Sequence, residues 1–261
     1  MFSTDERCLL NNNQLAEVIC QLRFPDILAI GANDPVAFQE AIRDIYPQFA
    51  VHRETPPPKI TGVPGNLSIQ SQPAAINYQF TSADGIWRIN LGNNFISLAC
   101  TQYTCWEYFA KQLDKPLVAL IQIYKPAYFQ RIGLRYLNFI SRKCLSLEGV
   151  PYSQLIRPQY LGPLADEHLL EQTVSRCNVD AEFAVRGSCR VKIHAGPGMI
   201  KKKGHTDSEA RFIFDQDLYI SGNVPINVSA SALETLHSQA YPIFRGAITD
   251  TLFNAMDPEP I

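Results

Sequence analysis

Apolar and polar positions alternate along residues 16–24, with Val18, Cys20 and Leu22 on one side and Glu17, Gln21 and Arg23 on the other. That is the period of a half-buried strand. Asp34 and Pro35 then offer an N-cap and a preset first helical residue, and Phe38, Ala41, Ile42 and Ile45 share one stripe. The pattern predicts a helix that stops near Tyr46, because Pro47 disfavours helix at the residue before it. Residues 51–65 carry Pro56, Pro57, Pro58 and Pro64, which rules out a central strand and predicts an extended connector or exposed loop. Such a segment serves as a stiff linker or as a dock for a proline-binding partner.

Strands are expected at 76–80, 86–91 and 95–100, with Asp84-Gly85 as the hairpin signal between the first two. Thr104 and Glu107 have the spacing of a capping box, opening a helix lined by Trp106, Phe109, Leu113, Leu117, Leu120 and Ile121 and kinked at Pro116. Residues 129–140 alternate again, placing Ile132, Leu134 and Tyr136 opposite Arg131, Gly133, Arg135 and Leu137. After an irregular stretch at 146–167, strands are expected at 169–179, 182–195 and 210–219, with a mobile glycine- and lysine-rich loop over 196–208. A helix over 231–256, kinked at Pro242, closes the series, and the prolines of residues 257–261 stop it.

The order of elements predicts an α+β fold: a pseudo-duplicated antiparallel β-sheet with long kinked helices on one face, as in TBP-like or helix-grip folds. Its two halves are residues 1–127 and 128–261, as two domains or as one continuous domain.

Composition narrows the function classes. Hydrophobic residues at 46% and charged residues at 18% describe a chain that folds. With 23 basic and 25 acidic residues the formal charge is −2, so no whole-molecule field favours nucleic acid or an anionic membrane. No secretion signal or run of membrane-spanning length is recognised, and the seven scattered cysteines read as reduced thiols, so a soluble cytoplasmic protein is expected. Without paired short Cys spacings, no zinc site or other cofactor is expected.

Three segments resemble a sporadically distributed, functionally uncharacterised bacterial protein family of about this length. They are Leu15-Ala16-Glu17-Val18, Tyr103-Thr104-Cys105-Trp106-Glu107, and Arg131-Ile132-Gly133-Leu134-Arg135-Tyr136-Leu137-Asn138. Phe214-Asp215-Gln216-Asp217 and the closing helix also fit in place, which extends the resemblance over nearly the whole chain. It implies little about chemistry, because that family has no established activity. An accessory role in bacterial defence is what the family's patchy distribution implies.

Candidate chemistry is sparse. Arg131 and Arg135 share a strand face, with Asn138 further along, and two guanidiniums there suit a phosphate or carboxylate; the plainer reading pairs them with Asp215 or Asp217. Asp215 and Asp217 point the same way, which suits a divalent cation or a salt bridge. Lys201, Lys202 and Lys203 make a basic loop without the phosphate-loop order, either a nucleic-acid contact or a solvated hairpin tip. Trp106 reads as an anchor of its helix and Glu107 as its cap. The histidines, aspartates and cysteines are expected not to converge, so the sequence points to a non-enzymatic protein-binding or adaptor protein. A nucleic-acid-binding module and a metal-dependent hydrolase are the alternatives.

Overall fold

The computed structural model describes residues 2–54, 59–63, 66–70, 75–166, 168–202 and 205–260, with side chains at all of these except within 54–75 and 201–208. A short strand β1 (Cys8–Leu10) leads into β2 (Leu15–Arg23), the helices α1 (Leu28–Ala32) and α2 (Val36–Ile42), and β3 (Gln48–Glu54). The hairpin of β4 (Lys59–Val63) and β5 (Asn66–Gln70) stands apart from the main sheet. The meander β6 (Ala75–Thr81), β7 (Trp87–Gly92) and β8 (Phe95–Cys100) then runs into α3 (Trp106–Tyr124). The second half comprises β9 (Phe129–Ile140), a region of 3-10 turns, β10 (Val179–Ala184), β11 (Arg190–Lys202), β12 (His205–Val224), α4 (Ser229–Ala247), α5 (Asp250–Ala255) and β13 (Pro258–Pro260).

Nine of these strands form one antiparallel sheet in the order β10-β11-β12-β9-β2-β8-β7-β6-β3. The two halves therefore meet at its centre, where β2 lies against β9 with Cys20 opposite Leu134 and Leu22 opposite Ile132. Even-numbered side chains of β2 (Val18, Cys20, Leu22), β9 (Ile132, Leu134) and β12 (Phe212, Phe214, Leu218) are buried on one face. There α4 packs on β9 and β12, and α3 packs on β8 and α2. The alternate side chains, among them Arg131 and Arg135 of β9 and Lys192 of β11, point to the other face, which no helix of the described residues is seen to cover and where they keep partial exposure, as one face of an antiparallel sheet commonly does. Among the described residues no helix is long and apolar enough to cross a membrane.

Pro116 sits inside α3, and its ring leaves the Gln112 carbonyl, one turn back, without a helical donor. The hydroxyl of Tyr46 donates to that carbonyl at 2.9 Å. A buried tyrosine from the end of the preceding helical region thus repairs the break and ties the two together.

Several expectations need correction. The helix opening at Asp34 is shorter than expected: it covers Val36–Ile42, its N-cap is Pro35, no side chain caps it, and the short α1 precedes it. The capping box of Thr104 and Glu107 does not form; the N-cap is Cys105 and makes no side-chain cap bond. Residues 169–179 hold a 3-10 turn at Glu171–Thr173 instead of a strand, and the strand expected over 182–195 is the end of β10, a turn, and the start of β11. The expected mobile loop at 196–208 is mostly hairpin, since β11 runs to Lys202 and pairs with β12 as far as Lys202 opposite His205. The β10 ladder ends at Val179 opposite Ala195, so Pro197 falls beyond it.

The closing helix is two helices. Ile248 turns to extended geometry and bridges to Ile156, and Thr249 recaps α5 by accepting from the Leu252 amide at 3.4 Å. The chain end does more than stop a helix, because β13 pairs with β1. Pro56, Pro57, Pro58, Pro64 and Lys203 lie outside the described residues.

Candidate functional site

The strand pattern places Tyr136 and Asn138 of β9 and Gln216 of β12 on the helix-covered face. Asn138 therefore does not join Arg131 and Arg135: it lies on the opposite side of the strand, 3% exposed, and its amide donates to the Phe214 carbonyl at 3.3 Å. Around these three residues a cavity of about 370 Å³ opens between the sheet and α4. Its size falls within the range of small-molecule sites, roughly 300–1,000 Å³. His237, Ala240, Tyr241 and Phe244 of α4 form one wall, and Tyr103, Thr104 and Cys105 at the entrance of α3 form another.

The paired strands β1 and β13 make the remaining side. Cys8, Leu9 and Leu10 of β1, with Glu259 and Pro260 of β13, line the cavity. Their pairing is extended by Asn11 and Asn12, whose amides donate to the carbonyls of Asp257 and Met256. Asp5 anchors this clasp to α4 through Arg245 at 2.9 Å. At the cavity's edge β2 is irregular in register, with Leu15 opposite Asn138 but Glu17 opposite Leu137. The extra residue turns Leu15 toward the cavity, a re-aiming for which bulges beside functional sites are used.

Inside, the Tyr136 hydroxyl meets His237 Nδ1 at 2.9 Å, and the imidazole stacks on Trp106 with ring centres 4.6 Å apart and planes 7° from parallel. Trp106 is held in turn by Glu234, which accepts from its indole N–H at 2.6 Å. Burial pushes His237 down to about 4, helped by the nearby Arg7 guanidinium. Burial also pushes Tyr103 up to about 12 and Tyr136 well above the usual phenol range. Gln216 is 3% exposed, and its amide oxygen has no hydrogen-bond partner. Arg7, Glu107 and Glu259 are the charged residues of the lining, and each is exposed, so charge sits at the rim and neutral polar groups inside.

Among the described residues the histidines and aspartates do not gather here, but polar side chains from distant segments do. One histidine, two cysteines (Cys8 and Cys105) and three tyrosines border a single cavity. Their sequence positions are too scattered for a local motif. The signal available was a polar residue, Asn138 or Gln216, at an inward position of an otherwise apolar strand stripe.

On the uncovered face the arginines and aspartates neutralise each other. Arg135 Nε donates to Asp215 at 2.7 Å, and Arg131 contacts both oxygens of Asp217 at 2.7 Å. The hydrogen bond to Asp215 raises the pKa of Arg135 above its already high ordinary value. Arg131 also lies over the Tyr219 ring at 4.7 Å. His194 pairs with Asp180 at 2.7 Å beside these groups, and among the described residues no three His, Cys, Asp or Glu side chains gather to hold a metal. The backbones of Lys201 and Lys202 belong to the β11–β12 hairpin. No protein-family model and no curated protein matches the sequence.

Proposed function

We propose that this chain is a binding protein rather than a catalyst, and that it holds a small, partly apolar molecule in the cavity beneath α4. One observation carries the reading: the inner polar wall is built of neutral hydrogen-bonding groups, Asn138, Gln216, Tyr136 and His237. A general acid or base works best with a pKa near the operating pH. Burial moves His237 and Tyr136 in opposite directions away from neutrality, so both stay uncharged and serve to orient a ligand. Calorimetry of uncharged metabolites against the wild type and His237→Phe tests this. Binding that the variant loses is expected; chemical conversion of a bound compound by the wild type, abolished in His237→Phe, would sink the reading.

A second proposal concerns the uncovered face, where Glu182, Lys192, Asp217 and Arg135 alternate in sign across four adjacent strands. Such a row gives specificity toward a complementary protein surface. The family resemblance suggests an adaptor or regulatory subunit in a bacterial defence complex, in the cytoplasm. Copurification from the native host that is lost in Lys192→Glu checks it. Nucleic-acid binding by Arg131 and Arg135, or metal-dependent hydrolysis by Asp215 and Asp217, is less favoured, because each guanidinium already neutralises one of those carboxylates. The same reading takes the two halves as duplicates in a TBP-like or helix-grip order, with α3 and α4 bent at Pro116 and Pro242.

A further inference from the structure

Resting on the cavity as a binding site, we infer that its ligand is a flat, uncharged heterocycle bearing a hydrogen-bond donor and an acceptor side by side on one edge, the chemistry of a nucleobase or a lactam. Two side-chain amides stand where apolar residues belong. Asn138 interrupts the stripe of Ile132, Leu134 and Ile140, and Gln216 that of Phe212, Phe214 and Leu218. The two lie on adjacent strands and the same face, one register step apart, since Gln216 is opposite Tyr136 and Asn138 opposite Phe214. A buried polar group without a partner is costly, and Gln216 is such a group: 3% exposed, with an orphan amide oxygen. Rotation about its soft terminal torsion presents either end of the amide to the cavity.

The complementary chemistry follows from what the wall offers. Side-chain amides donate and accept at once, and neutral imidazole and phenol do the same. A carboxylate supplies acceptors only and an ammonium donors only, and each would bring an uncompensated charge to a wall whose charged residues are all at the rim. An edge with N–H beside C=O or ring N matches an amide with two parallel hydrogen bonds, as Asn and Gln do with adenine. Tyr103 and Phe244 supply aromatic surface for a flat ring.

The test is titration of the full chain, followed by ¹H–¹⁵N correlation spectra that resolve side-chain amides. Adenine and uracil present the edge as nucleobases, and cyclo(glycyl-glycine) presents it as a peptide lactam. Benzoate, benzylamine and toluene are probes of similar size with an anion, a cation and no polar edge. At least one heterocycle is expected to bind tenfold or more tighter than all three controls, shifting the Asn138 and Gln216 side-chain signals, and to lose that advantage in Gln216→Met. The stronger of the nucleobase and lactam arms names the source. Tighter binding of benzoate, benzylamine or toluene at the same signals overturns the inference and leaves the cavity a binding site. If none of the six probes perturbs cavity residues in the wild type, the inference fails, and catalytic turnover lost in His237→Phe is the separate result that defeats the binding reading. Gln216→Glu, folded by the same spectra, serves as a second variant and is expected to lose the heterocycle too.

Discussion

Gln216→Leu should stabilise the ligand-free protein. The side chain is 3% exposed, its amide oxygen has no partner, and its neighbours along the inner face of β12 are Phe214 and Leu218. Leaving a buried acceptor unmatched costs about 1–3 kcal/mol. Leucine removes that cost at similar volume and adds apolar contact with the same stripe, so a net gain of about 1–2 kcal/mol is expected after allowance for imperfect packing. For a chain of this size each kcal/mol moves the melting temperature by about 2–4 °C, which gives a rise of roughly 2–8 °C. Calorimetric melting and urea unfolding measure it, the latter through a raised midpoint at unchanged slope. A variant with native far-ultraviolet dichroism but a melting temperature several degrees lower would refute the reasoning, since it would mean that the Gln216 amide is already satisfied within the protein.

Stability should also fall on acidification through His237, whose folded pKa of about 4 lies below the ordinary 6.5. The unfolded chain takes up that proton first, so the contribution is complete above about pH 6.5 and is lost as pH falls toward 4, by about 2–3 kcal/mol once the incomplete burial of the imidazole is allowed for. Urea midpoints between those limits should drop less steeply in His237→Phe than in the wild type, and equal slopes would contradict the assignment. Thr249→Ala removes the α5 cap and the bond that the same hydroxyl donates to the Gln154 carbonyl at 2.7 Å. A loss of about 1–2 kcal/mol in equilibrium unfolding is expected, and an unchanged midpoint would show that the break at Ile248 needs no cap.

The sequence determined what depends on neighbours a few residues apart. Alternation along residues 129–140 placed β9 at Phe129–Ile140, and Asp84-Gly85 between apolar runs set the turn of the β6–β7 hairpin, because a strand's period of two and the geometry of a tight turn are local properties. The pairing of Arg131 and Arg135 with Asp217 and Asp215 was also legible, since cross-strand neighbours of opposite charge attract wherever the strands meet. Packing decided what local pattern could not. The apolar run after residue 231 reads as one helix, yet Ile248 leaves it to bridge Ile156, a contact between residues far apart in sequence. The cavity is the clearest case: Cys8, Cys105, Tyr136, Gln216 and His237 become neighbours only after β2 and β9 join the halves and β1 pairs with β13. Proximity of that kind is a product of strand order, and strand order is fixed by burial of the whole sheet face instead of by any one segment.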